Sequence, residues 1–322
     1  MKKALKIIGK VLLGVLVTIA VAVLIVFIYH RIQLSNEKDL FENPPLGQLV
    51  EVDGKKMNVY VDGKGEKTLV FLSGAFITSP ILDFKEFTDK IKDDYKIVII
   101  EKFGYGFSDI SDDDRTTDTM TRQNREALAK AGIEGPYILC PHSFSGLEAI
   151  YWAQHYPDEV EAIISLDMAV PRCYDGDEYT EKSLDAAVSG MKTFTVLRDL
   201  GLVRLFITDS SLPDYLNEEE KDYIRAISSR GNKNESLQSE VKHIRDDINM
   251  IDAEPVPDVP TLMFVSDGTG TTGESWIGYE KDYAAKLTNV KLIELNCKHA
   301  VYHEKPEEII QYMIEFINTL DT

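Results

Sequence analysis

The chain has 322 residues, 44% hydrophobic and 28% charged, with 20 Gly and 12 Pro. This composition excludes a mainly disordered, collagen-like or coiled-coil chain and leaves room for one large α/β domain or two smaller ones. A net charge of −19, from 35 basic and 54 acidic residues, argues against a nucleic-acid binder, because phosphate recognition needs clustered Lys and Arg. Cys140, Cys173 and Cys297 are too few for a disulfide framework and lack the close spacing of a zinc site. They read as small buried hydrophobes.

Residues 11–29 (VLLGVLVTIAVAVLIVFIY) form a run of 19 residues without a charge. At about 1.5 Å per helical residue they match the roughly 30 Å hydrocarbon layer. A signal-peptide core is shorter and ends in a small-residue cleavage site, which Phe27-Ile28-Tyr29-His30-Arg31 does not offer. A retained signal anchor is therefore expected, with cleavage as the alternative. Lys2, Lys3, Lys6 and Lys10 precede the span and only Arg31 follows closely. This places the N-terminus in the cytoplasm and the rest outside it, in a single-pass cell-membrane protein. Beyond residue 31 the body holds 30 basic against 54 acidic residues. So acidic a body is repelled by anionic lipid, which predicts attachment by the anchor rather than by an adhesive surface. Residues 32–46, with Asn43-Pro44-Pro45, read as a short tether.

Two alternating runs at 48–52 and 56–61 flank Asp53-Gly54, a hairpin signal. Residues 68–72 (TLVFL) and 96–100 (KIVII) are continuous apolar runs, as in strands covered on both faces. Between them Ser79-Pro80 predicts an N-cap and first helical turn, and Ile81, Leu82, Phe84, Phe87 and Ile91 follow at helical spacing. A helix over 117–131, a strand over 137–140, a helix over 146–156 and a strand over 162–166 come next. Strands at 261–265 and 291–295 and a helix over 307–320 close the chain. This alternation predicts a mostly parallel sheet with helices on both faces. Between 171 and 260 the rhythm stops, and helices are predicted over 180–200, 217–229 and 234–251. Asn217 and Glu220 have the spacing of a capping pair.

The sharpest motif is Cys140-Pro141-His142-Ser143-Phe144-Ser145-Gly146, between a predicted strand and a helix. A Ser on such a turn is pushed out at the C-terminal edge of the sheet, where the helix start offers an N–H to a developing oxyanion. Pro141 and Ser145 stand where the usual G-x-S-x-G pattern has glycines. A Ser nucleophile needs a base that titrates near neutrality. Of the six His, His299 is selected, because it follows the last strand. A carboxylate must orient the imidazole. Asp267 and Asp167 both follow strands, where sites of open α/β sheets gather. Asp267 is preferred and Asp167 is the alternative. Leu72-Ser73-Gly74-Ala75-Phe76 can supply a second oxyanion donor, so the Ala75 and Phe144 N–H groups form the candidate hole.

In this order the residues resemble the α/β-hydrolase superfamily, from about residue 48 to 320 with the helical stretch excepted. Ser73-Gly74-Ala75 resembles its His-Gly-x oxyanion loop, with Ser for His. Residues 101–109 (EKFGYGFSD) resemble its D-x-x-G-x-G-x-S segment, with Glu101 first. Residues 141–146 resemble the nucleophile elbow, and 299–306 its His-to-Pro ending, with Lys298 for Gly. The resemblance implies an eight-stranded, mostly parallel sheet with a helical cap inserted after strand six. After the anchor (1–31) and tether (32–46), it divides the body into core 47–170 with 258–322 and cap 171–257. It keeps Cys140 and Cys297 apart. The family's usual acid position holds Thr269 here, and some members place the acid after strand six, where Asp167 stands.

The implied chemistry is an acyl-enzyme mechanism on a small-molecule carboxylic ester, using Ser143, His299 and an Asp, with no metal or organic cofactor. A Ser nucleophile argues against dehalogenase and epoxide-hydrolase chemistry, where relatives use Asp. A peptide or amide substrate is the second expectation, as in related capped aminopeptidases. A non-catalytic binding protein on the same scaffold is the third, raised by Ser73, Pro141 and Lys298.

Overall fold

The computed structural model describes residues 2–320. Helix α1 (Lys2–Asn36) runs unbroken through the apolar segment and ends seven residues past Tyr29. A short α2 (Lys38–Glu42) follows. The expected tether is thus largely helical. Its end is held to the cap, where Arg204 donates through Nη1 and Nη2 to the two Glu37 oxygens at 2.8 and 2.5 Å and through Nε to His30 Nδ1 at 3.0 Å.

The body begins with the hairpin β1 (Gln48–Val52) and β2 (Lys55–Asp62), then β3 (Thr68–Leu72). Helix α3 (Pro80–Thr88) opens on Ser79, whose Oγ accepts from Leu82 N, with Pro80 in the first turn. Next come β4 (Lys96–Glu101), α4 (Thr117–Lys130), β5 (Tyr137–Ser143), α5 (Gly146–His155) and β6 (Val160–Met168). The cap holds 3-10 turns at Pro171–Tyr174, Asp177–Tyr179 and Leu202–Leu205, with helices α6 (Glu181–Asp199), α7 (Glu218–Gly231) and α8 (Glu235–Asp252). Asn217 and Glu220 form the predicted reciprocal cap at the start of α7. The chain closes with β7 (Thr261–Val265), α9 (Glu274–Ala284), β8 (Val290–Glu294), α10 (Val301–Glu304) and α11 (Pro306–Leu320).

The eight strands form one sheet in the order β1-β2-β4-β3-β5-β6-β7-β8. β2 pairs antiparallel with β1 and β4, and the other neighbours are parallel. Strand alternation splits the core into two layers. Val70, Leu72, Val98, Ile100 and Leu139 pack towards α4, α5 and α8. Leu69, Phe71, Ile97, Ile99 and Ile138 pack towards α3 and α11. A layer of buried charge supports the cap on the sheet. Lys102 Nζ lies 2.5 Å from Glu148 Oε1, both side chains almost wholly buried. Tyr105 donates to Glu240 Oε2 at 2.6 Å, and Asp247 Oδ1 accepts from Thr117 N at 2.6 Å. Cys140, Cys173 and Cys297 are buried thiols.

Candidate active site

Ser143 ends β5 with φ +53°, a left-handed conformation that costs a non-glycine residue about 1–3 kcal/mol. Asp167 (φ +59°), near the end of β6, and Phe76 (φ +66°), in the loop after β3, share that conformation. Backbone strain thus gathers where three parallel strands end together. The elbow is tied on both sides. Ser143 O accepts from Ala169 N at 2.7 Å. Ser145 Oγ donates to Leu72 O at 2.6 Å and accepts from His142 N at 3.1 Å. Ser145, which departs from the usual glycine, therefore pins the elbow to the end of β3. Pro141 pairs with Leu72 across the same two strands. This pairing brings the Ser73–Phe76 loop beside the elbow. A Cβ on Gly74 would lie 2.8 Å from Ser143 Cβ and 3.1 Å from His142 Nδ1, so only glycine fits there.

His299 follows β8 and donates through Nδ1 to Asp167 Oδ2 at 2.5 Å. The other Asp167 oxygen accepts from Ser266 N at 2.7 Å. Asp167 is fully buried. Burial alone would raise its pKa, but the His299 hydrogen bond and charge, with the Ser266 N–H, hold it below the usual carboxylate range. Asp267 is not beside His299's imidazole partner position. Its Oδ1 accepts from Thr269 N at 2.8 Å, in a fully exposed turn. The structure therefore corrects the preference for Asp267, and the alternative, Asp167, is the acid paired with His299. The reason is local: two residues too early in its loop, Asp267 closes its own turn, while the left-handed turn at Asp167 aims its carboxylate across the strand ends.

The His299 ring is boxed by neighbours. Trp276 of α9 meets it edge-on, with centroids 5.2 Å apart, and His142 lies 4.7 Å away. His142 is buried between His299 and Tyr302, and burial with the neighbouring His299 pushes its pKa down to about 3. Its ring packs between those of His299 and Tyr302. His303 is turned away, its Nε2 3.2 Å from Asp83. Glu280 of α9 is buried next to Asp167, and desolvation and that negative charge push its carboxyl well above the usual range. Trp276 and Glu280 carry no signal in the sequence, because the Gly- and Thr-rich run 267–273 hides the helix that bears them.

Ser143, Ala75 and Phe144 line one wall of a cavity of about 430 Å3. The cap supplies the other wall: Tyr174, Tyr179, Leu184, Met191, Leu237 and Ile244, with Glu178, Lys233 and Glu240 as polar members. The lining is mainly apolar around a few polar groups, the pattern of a small-molecule site. A wider depression of about 950 Å3 lies at the opposite edge of the sheet, around Thr68, Lys96, Gly135 and Asn318. It is remote from Ser143, since Thr68 and Lys96 begin β3 and β4 and Gly135 precedes β5, whereas Ser143 ends β5.

The chain is 36% identical to the uncharacterized protein YbdG of Bacillus subtilis, over 97% of this chain and 99% of that protein. The chain belongs to the YbdG family. No family model matches it. An uncharacterized Schizosaccharomyces pombe protein, C23C11.06c, is 26% identical over 50% of this chain and 34% of its own length. Among solved structures, an epoxide hydrolase of Bacillus megaterium superposes with a TM-score of 0.64 at 20% identity, over 84% of this chain and all of that one. An esterase of Thermogutta terrifontis superposes at 0.65 and 17% identity, over 86% of this chain and all of that one. With the strand order and the cap after β6, these likenesses give this YbdG-family chain the α/β-hydrolase fold.

Proposed function

We propose that the chain is a membrane-anchored serine hydrolase that cleaves a carboxylic ester. The observation that carries this reading is the Asp167–His299 pair, 2.5 Å apart, at the strand ends beside the strained Ser143 elbow. Likeness to epoxide-hydrolase and esterase structures supports a hydrolase. A serine at the elbow favours acyl transfer.

In this mechanism His299 Nε2 takes the Ser143 Oγ proton as Oγ attacks the carbonyl carbon. The oxyanion forms against the Phe144 and Ala75 N–H groups. His299 then returns the proton to the departing alkoxide, leaving an acyl-enzyme. Water, deprotonated by His299, releases the acid and restores Ser143. Ionised Asp167 keeps the Nδ1 proton on the far side of the ring and stabilises the imidazolium.

A second reading, an amidase or aminopeptidase, is favoured by one observation. Glu240 lines the cavity, and its buried Oε1 lacks a protein partner. Such an oxygen can accept from a substrate amine or amide.

The anchor belongs to the same proposal. Helix α1 is long and apolar enough to cross a membrane. The Lys residues before residue 11 favour a cytoplasmic N-terminus and an extracytoplasmic catalytic domain.

The experiment is fluorophosphonate labelling of the full chain in phosphatidylcholine nanodiscs, with the labelled peptide found by mass spectrometry. Labelling at Ser143 that disappears in Ser143→Ala supports the reading. A folded protein that resists the probe moves the weight to a binding protein on this scaffold. An ester panel beside aminoacyl-anilides then separates the first two readings.

A further inference from the structure

Four large apolar side chains of the cap lie open to solvent within a short stretch. They are Val196 (57% exposed), Leu197 (42%), Leu205 (55%) and Phe206 (77%). Single exposed apolar residues are ordinary, but a cluster of this kind marks a surface that something covers. Val196 and Leu197 end α6, and Leu205 and Phe206 end the 3-10 turn after it.

The turn is fixed against α1. Gly201 links α6 to it in the left-handed conformation (φ +80°). A Cβ there would collide with His30 Cβ and lie 3.1 Å from Val26 O. The Arg204 contacts to His30 and Glu37 clamp the same turn to the same helix, with the Arg204 and Glu37 side chains 11% and 16% exposed. Val26 and His30 bracket the end of the uncharged run 11–29. The apolar cluster therefore sits beside α1 at the level where the anchor leaves the hydrocarbon layer.

We infer that this cap ridge, centred on Leu205 and Phe206, enters the outer face of the lipid bilayer beside the anchor. The inference rests on the reading of residues 11–29 as a membrane span. Continuity with that span decides the occupant: a rigid clamp holds the ridge at the membrane surface, where the adjoining medium is lipid. The basic groups beside the ridge, Arg198, Arg204 and Arg225, are each paired with a carboxylate (Asp199, Glu37 and Asp209), so apolar insertion and not attraction to anionic headgroups holds the ridge. This revises the expectation of a body attached by its anchor alone. It also narrows the substrate. Helix α6 lines the cavity with Leu184 and Met191 and reaches the ridge at Val196. At about 1.5 Å per residue the cavity wall lies some 8–18 Å from the ridge. Helix α6 thus joins the ridge to the cavity wall, which favours an ester with an apolar acyl chain as the substrate.

The test uses the full chain in phosphatidylcholine nanodiscs, some lipids spin-labelled near the headgroup end of the acyl chain. Because the native thiols are buried, single-cysteine variants carry the fluorophore: Phe206→Cys on the ridge, Leu16→Cys inside the anchor and Asp158→Cys on the far edge of the sheet. The expected result is emission at 206 cut to roughly half or less, as for a group lodged at the headgroup boundary, with 158 unchanged. Quenching at 16 without quenching at 206 overturns the inference and leaves the anchor standing. No quenching at either site overturns both. Quenching at 206 that needs phosphatidylglycerol overturns apolar insertion in favour of charge attraction.

Discussion

The His299 imidazole and the Asp167 carboxylate meet at 2.5 Å, although 132 residues separate them in the chain. Asp167 reaches that position from a left-handed turn at the end of a buried strand, and Ser266 N–H holds its second oxygen. An ionised acid in that place fixes which imidazole nitrogen carries the proton. Asp167→Asn should therefore lower turnover and fluorophosphonate labelling on the order of a thousandfold or more while the fold persists. Asp267→Asn should leave both within about twofold, because its carboxylate only closes an exposed turn. Rate measurements on the two variants check this, and the reverse ranking would return the acid role to Asp267.

Ser143 holds a strained backbone that glycine adopts freely. Ser143→Gly should abolish labelling and raise stability by roughly 1 kcal/mol, a few degrees in Tm or less for a chain of this size. Ser143→Ala should abolish labelling without that gain, since alanine keeps the strain. Thermal unfolding of both variants separates the chemical from the conformational role of this position.

Gly74 faces the opposite constraint. Its missing side chain lets the β3 loop approach Ser143 and the adjoining His142 ring. Gly74→Ala should push the loop back, cost about 1–3 kcal/mol and lower kcat by at least tenfold if the Ala75 N–H stabilises the oxyanion. Wild-type kcat in this variant would remove the Ser73–Phe76 loop from the mechanism.

Asp247 is buried beneath the cap, and desolvation, only partly offset by the Thr117 N–H, pushes its pKa up to about 8. An unfolded chain would release that proton near pH 4. The folded state therefore holds a proton between about pH 4 and 8 that the unfolded state has lost. Its contribution to stability is complete below pH 4 and is lost as pH rises through 8. Asp247→Asn keeps the acceptor for Thr117 and cannot titrate. The fall in Tm between pH 5.5 and 8.5 should be smaller in this variant, by the equivalent of up to about 1.4 kcal/mol per pH unit. Part of the fall will remain, because burial also raises Glu101 and Glu240.

Much of this molecule was legible in the sequence because its signals are local. The uncharged run 11–29 announces an apolar helix by length alone. Continuous apolar runs such as 68–72 and 96–100 announce strands buried on both faces, and Ser79-Pro80 and Asn217 announce helix starts. The elbow at Ser143 is legible because a strand-turn-helix junction of small residues has few other uses. His299 followed from its place after the last strand.

What the sequence could not decide depends on direction in space. Asp167 and Asp267 both follow parallel strands, and a periodic pattern says where a strand ends but not where the next side chain points. The left-handed turn at Asp167, stabilised by contacts from β7 and the β8 loop, made that choice. Trp276 and Glu280 reach the site on a helix hidden behind a Gly- and Thr-rich loop. The clamp of Arg204 on Glu37 and His30 joins residues 167 and 174 positions apart. Local propensity specified the elements of this protein, whereas packing between distant elements paired His299 with Asp167, enclosed the cavity and set the cap against helix α1.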